Sequence, residues 1–127
     1  MPAETILLVE DNPVNQKLLM VVLQPHGYRL LTAGDGEEAV NVALRELPNL
    51  ILMDLQLPKM NGFAATQILK SLSETAQIPV VALTAHPVPE EWLHAKETGF
   101  SAYITKPINT RSFPCQIRRI LDGDLQE

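Results

Sequence analysis

Two short acidic segments carry the side chains in this sequence that are best placed to do chemistry. Asp54 ends the apolar run "LILMD" and is followed at once by turn residues, while Glu10 and Asp11 follow the apolar run "TILLV". Carboxylates that converge on one crevice repel one another and raise their own pKa values, unless a cation lies among them. A set of carboxylates with no histidine or cysteine placed beside it favours a hard cation held by oxygen, so we expect magnesium.

Two further polar residues follow apolar runs in the second half of the chain. Thr84 ends "VVALT", and Lys106 comes after "AYIT" and precedes Pro107, which makes the Lys-Pro bond a candidate for the cis form. Thr84 alone is more simply interpreted as the end of a β-rich strand. Lys106 could be a solvent-facing lysine, but the proline after it restricts the backbone and favours a functional turn. Together, a carboxylate nucleophile, a metal pocket, a fixed cation and a hydroxyl suit phosphoryl transfer, so the set predicts that Asp54 is phosphorylated.

The elements that must position these residues alternate regularly. Five short apolar runs are separated by segments with helical spacing, and the middle runs are apolar on both faces, as in buried parallel strands. This pattern predicts an α/β fold, a (βα)5 doubly wound five-stranded parallel sheet, in which ligands sit beyond the carboxyl ends of the strands. We expect the flavodoxin-like order 2-1-3-4-5, one of the two common doubly wound orders, which would make strands one and three neighbours. We expect one domain over 1–127 with a frayed tail from about 123. The predicted strands are 5–10, 28–33, 49–54, 78–84 and 101–105.

Apolar spacing also predicts which helix faces point inward. Asn12 is the expected cap of the first helix with Pro13 at its first position, and Gly27 and Gly99 are expected to end helices. Helix four is predicted over 89–99, and Pro87 and Pro89 should stiffen or shift it. Helix five is predicted over 109–123, and Pro114 should delay its start or kink its first turn. The predicted inner faces are Val14, Leu18, Val21 and Val22; Gly36, Val40, Ala43 and Leu44; Ala65, Ile68, Leu69 and Leu72; and Phe113, Ile117, Ile120 and Leu121.

Composition narrows the function classes. The chain has 127 residues, of which 46% are hydrophobic and 20% charged, with a formal charge of −5. These values predict a globular protein, disfavour nucleic-acid binding, and leave no apolar stretch near the roughly 20 residues of a membrane span. No secretory signal is visible at the N-terminus, so we expect a cytoplasmic location. Cys115, the single cysteine, is expected to be a small core residue.

The motifs "ILLVEDNPVNQ", "LILMDLQLPKMNG", "VVALTA" and "YITKPI" occur in this order and span nearly the whole chain. In this respect the sequence resembles a response-regulator receiver domain of two-component signalling, of the single-domain type. The resemblance implies that Asp54 accepts phosphate from a histidine kinase or a histidine phosphotransfer domain and that the chain is a phosphoacceptor rather than an enzyme. It would assist its own phosphorylation and dephosphorylation, and signal to a downstream protein.

The same resemblance implies residue roles. Glu10, Asp11, Asp54 and the backbone carbonyl of Gln56 would hold Mg²⁺, with Mn²⁺ as a substitute. Thr84 and Lys106 would bind phosphoryl oxygens, and Thr84 and Tyr103 would form the switch. We further expect Gln56 and His86 to tune the lifetime of the phosphorylated state.

Rival functions are separated by single features. A flavin carrier needs a phosphate loop after strand one, where "EDNPVNQ" places two negative charges instead. A haloacid-dehalogenase-type phosphatase needs an acid two residues after the nucleophile, and this chain has Gln56 there. Two alternatives stay open: a receiver-like module that signals by protein contacts without obligatory phosphorylation, and a receiver cut from a hybrid histidine kinase.

Overall fold

The computed structural model describes residues 3–55, 57, 60–85 and 89–123. Within these residues, five strands alternate with five α-helices, and a 3₁₀ turn at Gln24–His26 follows the first helix. The order is β1 (Thr5–Val9), α1 (Pro13–Leu23), β2 (Arg29–Ala33), α2 (Gly36–Glu46), β3 (Leu50–Asp54), α3 (Gly62–Ser71), β4 (Val80–Thr84), α4 (Pro89–Thr98), β5 (Ala102–Thr105) and α5 (Phe113–Leu121).

All five strands are parallel and form one sheet in the order β2-β1-β3-β4-β5, which confirms the predicted topology. Every residue of β1, β3 and β4 is buried, as the long apolar runs within these strands predict. The edge strand β2 is more exposed. The carboxyl ends of β1 and β3 are therefore adjacent at the point where the strand order reverses.

Two apolar clusters fill the space on either side of the sheet. On one side, the inner faces of α2, α3 and α4 pack against Ile51 and Met53 of β3. On the other side, the inner faces of α1 and α5 pack against Leu50 and Leu52 of the same strand. Successive residues of β3 thus contribute to opposite clusters, as the pleat of a strand requires. The sheet is a rigid base on which the strand ends are held in fixed register.

The predicted inner face of α1 is wrong for three of its four residues; the fourth, Val22, is partly buried against the apolar core. Leu19 and Leu23 are the buried residues of this helix, whereas Val14, Leu18 and Val21 are 76%, 41% and 56% exposed. The segment from Leu18 to Leu23 is apolar all round, so its spacing fits two faces equally well and cannot choose between them. Leu44 of α2 was also predicted to be buried and is 38% exposed.

The helix termini agree with the predicted caps in most places. The Asn12 side chain accepts hydrogen bonds from the backbone N–H groups of Val14 and Asn15 at the start of α1. Gly27 and Gly99 have φ angles of +83° and +121°, the left-handed region expected of a glycine that ends a helix. Helix α4 begins at Pro89, as predicted; Pro87 lies outside the described residues, and a stiffened or shifted α4 stays a prediction.

Helix α5 begins four residues later than predicted, at Phe113 rather than Asn109. The Asn109 side chain instead accepts hydrogen bonds from the N–H groups of Arg111 and Ser112 in a turn before the helix. The predicted delay of this helix is therefore confirmed. Pro114 lies in the first turn of the observed helix, where its missing N–H removes no helical hydrogen bond. Cys115 is exposed, not buried, because Phe113, Ile117 and Ile120 form the inner face.

Across the part of the chain that is described, no helix is both long enough and apolar enough to cross a membrane.

Candidate functional site

The register of the central strands brings two buried carboxylates together. Val9 of β1 pairs with Met53 of β3, so the next residues, Glu10 and Asp54, lie side by side where the strands end. Glu10 is 2% exposed and Asp54 is 3% exposed. Leu8 and Leu52, two residues earlier in the same strands, belong to the apolar cluster under α1 and α5. Because side chains alternate along a strand, Glu10 and Asp54 lie on that same face of the sheet.

Lys106 neutralises part of this charge. Its ammonium group donates to Asp54 Oδ2 at 2.7 Å and to Glu10 Oε2 at 3.1 Å, although the three residues are far apart in the chain. The Lys106 side chain is 24% exposed, so it reaches the acids from the rim of the site. Its backbone N–H donates to the Thr84 carbonyl at 2.7 Å, which ties the loop after β5 to the end of β4.

The electrostatics of the site follow from this partly compensated burial. Burial and the neighbouring Asp54 carboxylate raise the pKa of Glu10 above its ordinary value, against the opposing effect of Lys106. For Lys106, burial acts to lower the pKa, but its hydrogen bonds and charge interactions with Asp54 and Glu10 outweigh burial and raise it. One lysine therefore does not fully offset two buried acids, and the pocket favours additional positive charge.

Asp11 adds a third carboxylate at the solvent edge. Oxygen atoms of Glu10, Asp11 and Asp54 all lie within 4.8 Å of one another, and Asp11 is exposed while the other two are buried. An all-oxygen set with one open side fits a hard divalent cation that keeps some of its water. The donor chemistry and the incompletely compensated charge both fit magnesium.

The remaining predicted residues are placed as follows. Thr84 ends β4 and is 8% exposed, and Asp54 pairs with the preceding residue, Leu83. Tyr103 of β5 is half-buried against the cluster beneath α2, α3 and α4. The Lys106–Pro107 peptide bond is cis, as expected. Gln56 and His86 lie outside the described residues, so the structure does not test their predicted roles.

Two contributors to the site were not anticipated from the sequence. A Cβ atom added at Gly62 would lie 2.5 Å from the carbonyl oxygen of Asp54, so the start of α3 packs directly against the strand end. The glycine in "KMNG" is the only sequence signal of this contact, and it reads equally well as an ordinary turn residue. The Gln16 side-chain amide donates to the Glu10 carbonyl at 3.2 Å, a contact that no sequence pattern indicates.

A cleft of about 240 Å³ opens beside the acidic pocket, between α1 and the loop that follows β5. Glu10, Lys106 and Asn15 are its polar lining residues. The rest of the lining is apolar, with Leu18, Leu19, Leu83, Ala85, Pro107 and Ile108.

Comparisons with known proteins agree with this geometry. The family described as "Response regulator receiver domain" matches residues 6–118. The polar-differentiation response regulator DivK of Brucella anthropi is 37% identical over 121 residues, which cover 95% of this chain and 98% of DivK.

Solved structures show the same likeness. The receiver domain of the sensor histidine kinase PA1611 from Pseudomonas aeruginosa, which has a magnesium ion coordinated in its active-site cleft, is 34% identical with a TM-score of 0.84, and the match covers 98% of each chain. The chemotaxis protein CheY4 of Vibrio cholerae is 27% identical with a TM-score of 0.89, and the match covers 94% of this chain and 99% of CheY4.

Proposed function

The chain belongs to the response regulator receiver family, and we propose that Asp54 is its phosphoacceptor in two-component signalling, taking a phosphoryl group from a phosphohistidine. The observation that carries this proposal is the Asp54 carboxylate itself. It is buried at the end of the central strand β3, bound by Lys106 at 2.7 Å, and within 4.8 Å of two further acids. Such a carboxylate is oriented and has charged groups ready to stabilise a transferred phosphoryl group.

The reaction requires only atoms that these groups supply. An Asp54 oxygen attacks phosphorus in line, the P–N bond of the phosphohistidine breaks, and the imidazole leaves as Asp54 becomes an acyl phosphate. The Lys106 ammonium, which binds the carboxylate before transfer, then binds a phosphoryl oxygen. Thr84 follows directly after the residue that pairs with Asp54, which supports its proposed hydrogen bond to another phosphoryl oxygen.

Magnesium is the metal that the site residues fit. Glu10, Asp11, Asp54 and the backbone carbonyl of Gln56 would hold it, and we include Mn²⁺ as a substitute. The bound ion would neutralise charge on the phosphoryl oxygens during transfer. The chain's own residues keep the carboxylates converged, because the β1–β3 register fixes Glu10 beside Asp54.

We propose that phosphorylation is read on the surface formed by α4, β5 and α5. Thr84 and Tyr103 would move inward together, and this motion would shift a pre-existing equilibrium of that surface towards the form that a downstream protein binds. The short bond from the Lys106 N–H to the Thr84 carbonyl supports a coupled response, because it joins the two strand ends that carry these residues.

The donor would be a histidine kinase or a histidine phosphotransfer domain that docks on α1 and the loop after β5. The exposed residues Val14, Leu18 and Val21 recur on one side of α1 at helical spacing, which gives this helix an apolar outer face suited to another helix. The net charge of −5 supports a protein rather than a nucleic acid as partner. The same proposal has two further parts. The chain acts as a phosphoacceptor and does not turn over an independent substrate, and it is located in the cytoplasm.

The first test is intact mass after incubation with acetyl phosphate and magnesium. We expect a gain of one phosphoryl group that disappears when magnesium is omitted and in the Asp54→Asn variant. Circular dichroism of the variant serves as the control for folding. If neither acetyl phosphate nor a phosphorylated phosphotransfer domain modifies the folded protein, the phosphoacceptor proposal is wrong and a module that signals by binding alone is favoured.

Gln56 and His86 are proposed to tune the lifetime of the phosphorylated state through their placement two residues after Asp54 and Thr84. Substituting both with alanine should change the rate at which the added mass is lost. An unchanged rate would exclude this role.

A further inference from the structure

The lining of the cleft between α1 and the loop after β5 combines one charged pair with apolar walls. Glu10 and Lys106 line the cleft and are hydrogen-bonded to each other, and both also belong to the acidic pocket around Asp54. Leu18 of α1 and Ile108 of the loop belong to the apolar remainder. A ligand that fills this cleft would therefore meet a charged pair that also contacts Asp54, and apolar walls elsewhere.

The cleft lies beside the groups that would hold a transferred phosphoryl group. Lys106 binds Asp54 at 2.7 Å, and Thr84 ends the neighbouring strand. A phosphoryl group that Asp54 attacks in line would have its leaving group opposite the attacking oxygen, on the side away from the strand ends. Ala85, the residue directly after Thr84, and Pro107, the residue directly after Lys106, both line the cleft. The apolar walls thus begin one residue beyond the groups that would hold the phosphoryl oxygens.

We propose that this cleft binds the apolar part of small-molecule acyl phosphates, so that Asp54 takes phosphate faster from donors with a short alkyl chain than from acetyl phosphate. This inference rests on the proposed function and names a substrate class for the same site. An Asp54 oxygen forms a bond to phosphorus, the bond between phosphorus and the acyl oxygen breaks, and the carboxylate of the fatty acid leaves with the bonding electrons. No proton, oxidant or further reactant is needed.

The size of the cleft limits the chain length. Sites for drug-sized ligands occupy roughly 300–1,000 Å³, and this cleft of about 240 Å³ is smaller. It suits an acyl chain of a few carbons. Each methylene removed from water would strengthen binding about fourfold. Butyryl phosphate has two more methylenes than acetyl phosphate. With these two methylenes incompletely buried, it should react about tenfold more efficiently than acetyl phosphate.

The test compares kcat/KM for acetyl phosphate and butyryl phosphate in the presence of magnesium, measured by intact mass. It is repeated with Leu18→Ala, which removes one apolar wall. Leu44→Ala is the matched control, because Leu44 lies on α2 and is 38% exposed, close to the 41% of Leu18. The intrinsic reactivity of the two donors cancels when their ratio is compared between variants.

We expect a butyryl-to-acetyl ratio of about ten in the unaltered protein and in Leu44→Ala, falling at least threefold in Leu18→Ala. A ratio near one in the unaltered protein, or a ratio that Leu18→Ala leaves unchanged, overturns the inference and leaves the proposed function intact. If a phosphohistidine protein phosphorylates the chain and neither acyl phosphate does, the inference is likewise overturned and the proposed function stays intact. Failure with every class of donor overturns both proposals.

Discussion

Gly62 offers a direct test of how tightly the start of α3 is packed against the phosphoacceptor strand. Substitution by alanine would place a Cβ atom 2.5 Å from the Asp54 carbonyl oxygen and 3.1 Å from both Leu55 Cα and Met53 Cγ. Two of these neighbours are backbone atoms, which cannot rotate away as the end of a flexible side chain can. The helix and the strand end must therefore move apart.

The size of the effect follows from these distances. Non-bonded heavy atoms are most stable at about 3.5–4.0 Å, so relieving the contact with the Asp54 carbonyl needs a displacement of roughly 1 Å. Overpacking of this kind costs about 1–3 kcal/mol of unfolding free energy. With a urea m-value of about 1–3 kcal/mol/M, the denaturation midpoint should fall by about 1 M. A shift of this size at the nucleophile should also slow phosphorylation of Asp54 by at least about tenfold.

Urea denaturation and the initial rate of phosphorylation by acetyl phosphate measure the two effects. Gly34→Ala is the matched control, because a Cβ there meets only Glu38 Oε1, at an ordinary contact distance of 3.7 Å. Its stability should change by less than about 1 kcal/mol. Equal midpoints for Gly62→Ala and the unaltered protein would refute the close packing, and equal losses in both variants would show that the effect is not specific to the contact.

Three further predictions concern metal, charge and capping. Magnesium at 100 times its Kd should stabilise the protein by about 2.7 kcal/mol in thermal unfolding, and Asp11→Asn should remove most of this gain. The hydrogen bonds from Arg118 lower the pKa of Glu4. Glu4→Gln should therefore lower the free energy of unfolding at pH 7, but by less than about 1 kcal/mol because both side chains are exposed. This difference in unfolding free energy between the two proteins should vanish as the pH falls below 4.5 and through the lowered pKa of Glu4. Asn12→Ala should cost about 1 kcal/mol in urea denaturation, because two N–H groups of α1 lose their acceptor.

The sequence by itself determined the strands and the residues at their ends, and it reduced the strand order to a choice between the two common doubly wound orders. Val-, Ile- and Leu-rich runs predict buried parallel strands because both faces must be apolar, and the alternation with helices leaves few ways to connect them. The caps at Asn12, Gly27 and Gly99 were equally predictable, since each depends on the local chemistry of one residue. Asp54 and Lys106 were identified as site residues because polar groups at the ends of apolar strands are placed beside one another by the topology alone.

Only the tertiary structure decided which face of α1 is buried and what the acids contact. The apolar residues from Leu18 to Leu23 surround their helix, so only packing against α5 and the sheet selects Leu19 and Leu23 and leaves Leu18 to line the cleft. Local sequence likewise could not show that Cys115 is exposed, because burial depends on how far α5 is rotated against the sheet. The contact of Lys106 with both Glu10 and Asp54, and the approach of Gly62 to Asp54, join residues from separate elements. Distances of this kind are set by the packing of the whole domain, which no short segment encodes.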